Sequence, residues 1–315
     1  MSNFITKKKK TGMQTKARYD LIFYCLGVAL PLLQFLVFYV YLNMDMFVTA
    51  FRTYRFDADG KVFYVFSGLE NFKAVIRDFT QNEYMVDAIW RGLAIYGLSF
   101  AKLPLEILIA YYIVKKYPLG STFHIVLYLP GLLSGAVMNL TYKYFVCECI
   151  PEVVRLVTGK EILSLLDSGS TTQSFIVIWF FGYFVGVIGN VLLIGGAMNG
   201  VSESVSEAAS LDGASETRQF FSIYLPIIFP TIVTFIVLGL SGFLLADIGL
   251  YQYYDRYAPQ EMYTVGYYLT MRTQTADIYV DYPYLSAFSW IITLITAPVV
   301  LIGRGLLNKV NEKFE

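Results

Sequence analysis

The sequence predicts an all-α integral membrane protein with six transmembrane helices. Three observations carry that prediction. Hydrophobic residues make up 56% of the 315 and charged residues 15%, with a mean hydropathy of +0.54; an average soluble domain is about 25% charged. Six stretches, near 20–42, 85–113, 122–146, 173–198, 224–249 and 283–306, supply the ~20 mostly apolar residues that a helix rising about 1.5 Å per residue needs to cross a core of about 30 Å. The runs are continuous, whereas barrel strands would alternate in segments of about ten residues. A helix also satisfies every backbone N–H and C=O within its own segment, as a bilayer interior requires.

Residues 1–19 form a basic tail containing Lys7, Lys8, Lys9, Lys10, Lys16 and Arg18. The apolar run after it is too long for a signal peptide, and no small-residue cleavage site follows, so it reads as a retained span. The second run is the least regular, because it carries Arg91, Lys102 and Glu106. Lys102 and Glu106 are four apart and are expected to neutralise each other on one helix face. The third run holds His124, the only histidine, and Asn139-Leu140-Thr141, a glycosylation pattern discarded because it falls inside a span. Cys147 and Cys149 follow at a membrane edge and read as interfacial thiols, not as a disulfide framework. Gly131/Gly135, Gly182/Gly186 and Gly196/Gly200 form three G-x-x-x-G pairs that permit close helix approach, within the chain or between subunits. A tail, 307–315, closes the chain after the sixth run.

Six spans place both termini on one side of the membrane. That side collects the basic tail, Lys115, Lys116, Arg218, Arg304, Lys309 and Lys313 in short loops. The basic residues of the other side sit in longer segments, 44–84, 147–171 and 250–282, among more acids. The positive-inside rule then makes both termini cytoplasmic, and with them the loop 199–223.

That loop is polar but patterned. Ser204-Val205-Ser206-Glu207 fits a capping box, so a helix is expected to start there and run through Leu211. Asp212-Gly213 is a stop signal. A second short helix is expected from Ser215, carrying Arg218, Phe220 and Phe221, before Pro226 and Pro230 open the fifth span. The pattern describes two short helices with a sharp bend between them. Ala208 and Ala209 would let a neighbour approach closely, and Glu207 and Arg218 would offer charge. It fits a docking knob or an ordinary amphipathic connector.

Several chemistries are excluded. No G-x-x-x-x-G-K-[ST] loop is present, so the chain is not expected to hydrolyse ATP. Gly239-Leu240-Ser241-Gly242 places a G-x-S-G inside a span, as in intramembrane serine proteases. A serine nucleophile needs a base within hydrogen-bond reach. His124 precedes Ser241, and the two differ in depth by roughly 20 Å at about 1.5 Å per residue. Ser241 with its glycines reads better as a helix-packing site. No cluster has metal-ligand spacing.

The loop closely resembles the EAA motif of permease subunits of ABC importers: Glu207-Ala208-Ala209, Asp212-Gly213-Ala214, Phe220 and Ile223-Tyr224-Leu225-Pro226. Gly68-Leu69-Glu70-Asn71-Phe72, Tyr128-Leu129-Pro130 and Ser134-Gly135 resemble segments of the sugar-permease branch related to the maltose and glycerol-phosphate importers, and the position of Gly68–Phe72 favours its MalF-like type. The chain departs from that branch at Arg91-Gly92, where Asn-Thr is usual, and at Tyr142, where tryptophan is common. The resemblance implies a type I importer (MetI-like) permease fold over 20–306. It implies that Glu207, Ala208, Ala209, Asp212, Gly213, Ala214 and Arg218 dock a cytoplasmic ATPase. It implies a second, MalG-like permease, two ATPase subunits that bind the ATP and Mg, and an extracytoplasmic substrate-binding protein, in a bacterial cell membrane and without nucleic acid. Apart from membrane lipid, these are the expected partners. A sugar path wants polar groups beside aromatic faces, and Tyr183, Asn190, Asp247 and Tyr251 are the candidates. The alternative is an ion-coupled carrier of a small polar solute, which would need a paired intramembrane carboxylate and perhaps inverted repeats. No repeat is visible.

Overall fold

The computed structural model describes residues 19–312 except 58, 60, 168 and 278–280. The basic tail through Arg18, and Lys313, lie outside the described residues. The chain divides into two units, Met1–Phe72 with Asp277–Trp290, and Lys73–Ala276 with Ile291–Glu315.

In the first unit, α1 (Tyr19–Ala50) is 32 residues long and apolar enough to span a membrane. An antiparallel hairpin follows, β1 (Arg52–Phe56) paired with β2 (Val62–Phe66). The outer-loop reading of 44–84 contained no strand. The hairpin is tied to the end of α1 through Gly68–Phe72, which gives that segment a physical role. Gly68 turns the chain at φ +60°, a conformation that costs glycine nothing. The Asn71 amide donates to Ala50 O at 2.8 Å and Arg52 O at 2.9 Å. Phe72 packs on Phe51 at 5.0 Å between ring centres, and Phe47 lies edge-on to Trp290 at 4.8 Å.

The second unit holds most of the remaining spans. After α2 (Glu70–Gln81) come α3 (Glu83–Val114), α4 (Gly120–Leu132), α5 (Gly135–Thr158) and α6 (Thr171–Met198). Then follow α7 (Glu203–Leu211), α8 (Glu216–Leu240), the short α9 (Leu250–Tyr254) and α10 (Val265–Thr275). The last helix, α11 (Tyr282–Asn311), starts in the first unit and ends in the second. One core packs Ile107, Ala110 and Tyr111 of α3 against Val191, Ile194 and Met198 of α6 and Phe220, Tyr224, Ile228 and Ile232 of α8. A second core gathers Val146, Ile178, Leu250, Tyr253, Met262 and Tyr267. Tyr142 serves it by stacking on Phe181 at 4.1 Å and donating to Val177 O at 2.9 Å.

Two expected spans are corrected. The third is not one straight helix: α4 and α5 meet at a 95° bend. Leu133 and Ser134 are extended there, and the Ser134 hydroxyl accepts from Val137 N, so a new helix is capped where a continuous one was expected. The fifth does not reach residue 249. Helix α8 stops at Leu240, and the chain to Ile248 lies as a loop against α3 and α10. A Cβ on Gly266 would collide with Leu245 O, and one on Gly92 would sit 3.6 Å from Leu244 O and Ala246 O. Arg91 braces the far side, donating to Tyr263 O at 3.0 Å and Gln260 O at 3.3 Å, with Asp87 at 3.5 Å. At the departure Arg91-Gly92, the glycine lies against the loop and the arginine ties down the segment beside it. Gly266→Ala is expected to lower the melting temperature of the detergent-solubilised protein, since forcing in a methyl costs roughly 1–3 kcal/mol. An unchanged midpoint would contradict this packing.

Of the G-x-x-x-G glycines, Gly186 makes an internal helix contact, with the Lys102 side chain of α3, and Gly200 meets only Ala197 O of its own turn. Nothing lies within 4 Å of a Cβ placed on Gly131, Gly135, Gly182 or Gly196. Gly239 does pack, with the Tyr96 hydroxyl 3.8 Å from its Cβ position.

Candidate functional site

The loop 199–223 is built as a rigid projection. Its helix starts two residues earlier than the capping-box reading placed it. Ser202 is the N-cap residue and makes no side-chain cap bond, while Ser204 lies within α7 and contacts the Ser202 hydroxyl at 2.9 Å. The stop is where Asp212-Gly213 put it. Gly213 takes φ +74°, Ala214 N donates to Ala209 O at 2.9 Å, and Gly213 N donates to Ser210 O at 3.1 Å. That pair of bonds is a Schellman ending, which satisfies carbonyls a helix end otherwise leaves open. Ser215 then caps the next helix through Arg218 N at 3.3 Å. This second helix is not a separate short element, because it continues through Leu240 as α8. Of the residues assigned to docking, Glu207, Ala208, Asp212, Gly213 and Arg218 are exposed, and Ala209 and Ala214 are half-buried. Leu211, at the apex, is 90% exposed.

What holds this projection was not read from the sequence. Gln219 is 1% exposed at the root of α8. Its amide nitrogen donates to Ser210 Oγ at 3.0 Å and Ala214 O at 3.1 Å. Its oxygen accepts from Lys115 Nζ at 2.8 Å and Ser206 Oγ at 3.2 Å. Lys115, just past the end of α3, also donates to Ser206 Oγ at 2.9 Å and pairs with Glu216 at 3.3 Å. Its ammonium lies over the rings of Tyr224 and Tyr111, at 5.5 and 5.8 Å. Tyr111 donates to the same Glu216 carboxylate at 2.7 Å. Helix α7 is therefore fastened at once to α8 and to α3.

Along α3, toward the middle of the span, lies a cavity of about 520 Å³. Tyr96, Lys102, Glu106, Asn190, Phe235 and Gly239 are among its lining residues. Glu106 is 1% exposed, and both its oxygens accept from Asn190 Nδ2, at 3.2 and 3.1 Å. Asn190 thus takes the hydrogen bonds of the carboxylate, while Lys102 acts on it only as a charge at longer range. The Lys102 ammonium instead lies against Gly186, 3.0 Å from where a Cβ would be.

Of the four path candidates, only Asn190 lines this cavity. Tyr183 donates to Ala101 O at 3.2 Å and packs on Trp179. Asp247 is a loop clasp: it accepts from Gly249 N at 3.0 Å, Leu250 N at 3.2 Å and the Thr264 hydroxyl at 3.0 Å. Tyr251 sits on α9, packed against the second core. Beside it, Tyr267 donates to Asp255 O at 2.8 Å, and burial pushes its phenol up to about 12, so it keeps that proton at any physiological pH.

A family model described as "Binding-protein-dependent transport system inner membrane component" matches residues 116–315. A probable ABC transporter permease protein of Mycoplasma genitalium is 33% identical over 153 residues, 45% of this chain and 46% of that protein. The match thus spans about half the length of that relative. The multiple sugar-binding transport system permease protein MsmF of Streptococcus mutans is 25% identical over 194 residues, 62% of this chain and 63% of that one. A chain of a bacterial alginate ABC transporter, solved in complex with an alginate pentasaccharide-bound periplasmic protein, superposes with a TM-score of 0.71. That match covers 94% of this chain and 97% of the other at 18% identity, a likeness of fold.

Proposed function

Because this chain belongs to the family of binding-protein-dependent transport system inner membrane components, we propose that it is one of two permease subunits of an ATP-driven carbohydrate importer. It has the MetI-like importer permease fold. The sugar reading is supported by MsmF, a sugar-transport permease by name, and by the alginate transporter. A second permease completes the pathway, a substrate-binding protein delivers the sugar from outside, and lipid surrounds the spans.

One observation carries the mechanism: a rigid, exposed projection, α7 with its Schellman end, fixed at its root to α3 by Lys115 and Gln219. An ATPase in the cytoplasm grips Glu207–Ala214 and Arg218. When ATP and Mg close the two ATPases, α7 moves as a body. Its bonds to Lys115 carry the displacement into α3, the helix that lines the cavity with Tyr96, Lys102 and Glu106. Both termini then lie on the cytoplasmic side, as does the loop. The chain hydrolyses no ATP itself.

Gentle-detergent affinity purification of this chain from its own cell is expected to recover a second six-span protein and an ATPase in stoichiometric amounts, identified by mass. A lone chain without ATP hydrolysis, from a preparation in which a control importer stays assembled, would refute the reading in favour of an ion-coupled carrier.

A further inference from the structure

We propose that Lys102 is an anion-recognising group of the translocation cavity, and that the carbohydrate carried is negatively charged, as a carboxylate or a phosphate. This rests on the importer reading above and adds the chemical class of its cargo.

The depth of Lys102 is the first ground. It lies twelve positions before Val114 in a helix of 32 residues, about 18 Å from that end at ~1.5 Å per residue. A charge near mid-span is costly and marks a pathway by default. The second ground is that no anion is in contact with it, Glu106 one turn on acting only at longer range. Among the described residues, no carboxylate lies within 4.0 Å of its ammonium, and no hydrogen-bond acceptor is in reach. Glu106, one turn on, is buried with both oxygens held by Asn190. The ammonium lies instead against Gly186 of α6, 3.0 Å from where a Cβ would be.

The third ground is what surrounds it. The Tyr96 hydroxyl is buried with no hydrogen-bond partner and lines the same cavity. An orphaned hydroxyl of this kind calls for a ligand group. Phe100 and Phe235 line it too and present apolar faces. At about 520 Å³, the cavity is of the size that takes small ligands, roughly 300–1,000 Å³. A sugar ring has polar edges for Tyr96 and C–H faces for the phenylalanines. A lysine ammonium offers donors only. Its bond to a carboxylate or phosphate is about twice as strong as one between neutral groups. A neutral sugar would leave the ammonium with no charged group in contact.

The test compares cells carrying the full chain with cells deleted for it, each given one mixture of galacturonate oligomers, sugar phosphates, maltotriose and raffinose. Depletion of the medium is followed by mass spectrometry. Chain-dependent depletion is expected for an anionic component; uronates or phosphates being taken identifies which anion. Complementation with Lys102→Arg should restore uptake to within about threefold, and Lys102→Gln should leave it at least tenfold lower, with both variants recovered from the membrane with their partner permease. Depletion of only a neutral sugar, or full uptake through Lys102→Gln, would overturn the proposal and leave the importer reading standing. Loss of the partner permease from Lys102→Gln would overturn it too, by making Lys102 a subunit contact. No chain-dependent depletion of any carbohydrate would sink the carbohydrate-importer reading, and this inference with it.

Discussion

Replacing Gly213 with valine is expected to abolish uptake while leaving the chain inserted in the membrane. Space is not the obstacle, since nothing lies within 4 Å of a Cβ at this position. The backbone is. At φ +74° an L-residue costs roughly 1–2 kcal/mol, and a β-branched one is a true outlier there. Relief of that strain would break the bonds from Ala214 N to Ala209 O and from Gly213 N to Ser210 O. Asp212 and Ala214 would then leave the geometry in which they face a partner, and the bond from Gln219 to Ala214 O would be lost. None of the spans depends on this turn. Gly213→Asn is the matched control, because asparagine tolerates the left-handed region; it should keep most uptake. Membrane content by immunoblot and uptake by tracer check both variants. Normal uptake in Gly213→Val would remove the docking claim.

The spans were legible because composition alone specifies them: six apolar runs that only helices can carry through lipid. The interruptions were less legible, because each depends on a local bond. Ser134-Gly135 was recognised as a family segment, but nothing in the letters said that the Ser134 hydroxyl caps a new helix and so breaks the third span. The capping box put the start of α7 at Ser204, and the backbone instead makes Ser202, in an extended conformation, its N-cap. The hairpin was readable in principle, as two aromatic and β-branched runs, Arg52–Phe56 and Val62–Phe66, flanking a short polar turn. The same limit applies to the site. Lys102 and Glu106 were visible as a pair at helical spacing, yet Asn190, 84 positions away, takes the carboxylate. Lys115 entered the sequence reading only as a topological charge, and its partner Gln219 lies 104 positions on. Neighbours within one helix can be read from spacing; partners brought together by folding cannot.

Lys115→Met and Gln219→Leu are each expected to uncouple the transporter: ATP hydrolysis by the assembled complex persists while uptake falls at least tenfold. Both variants keep side-chain volume and remove bonds. Lys115 is 12% exposed and bonds Ser206 of α7 and Gln219 and Glu216 of α8 together. Without it, Gln219 Oε1 keeps only Ser206, and Glu216 loses its charge partner. Such losses cost about 1–3 kcal/mol, too little to unfold the spans and enough to let α7 move without α3. Gln219→Leu attacks the same joint from the other side, removing the bonds to Ser206, Ser210, Ala214 and Lys115. The exposed face of α7 is untouched in both, so ATPase subunits should still co-purify. Unchanged uptake would show that motion enters the spans elsewhere. Loss of the ATPase from the complex would show that the network shapes the docking face itself. Retained hydrolysis with lost uptake is the result expected of a mechanical joint here, because a docking defect takes the ATPase away and neither Lys115 nor Gln219 lines the cavity.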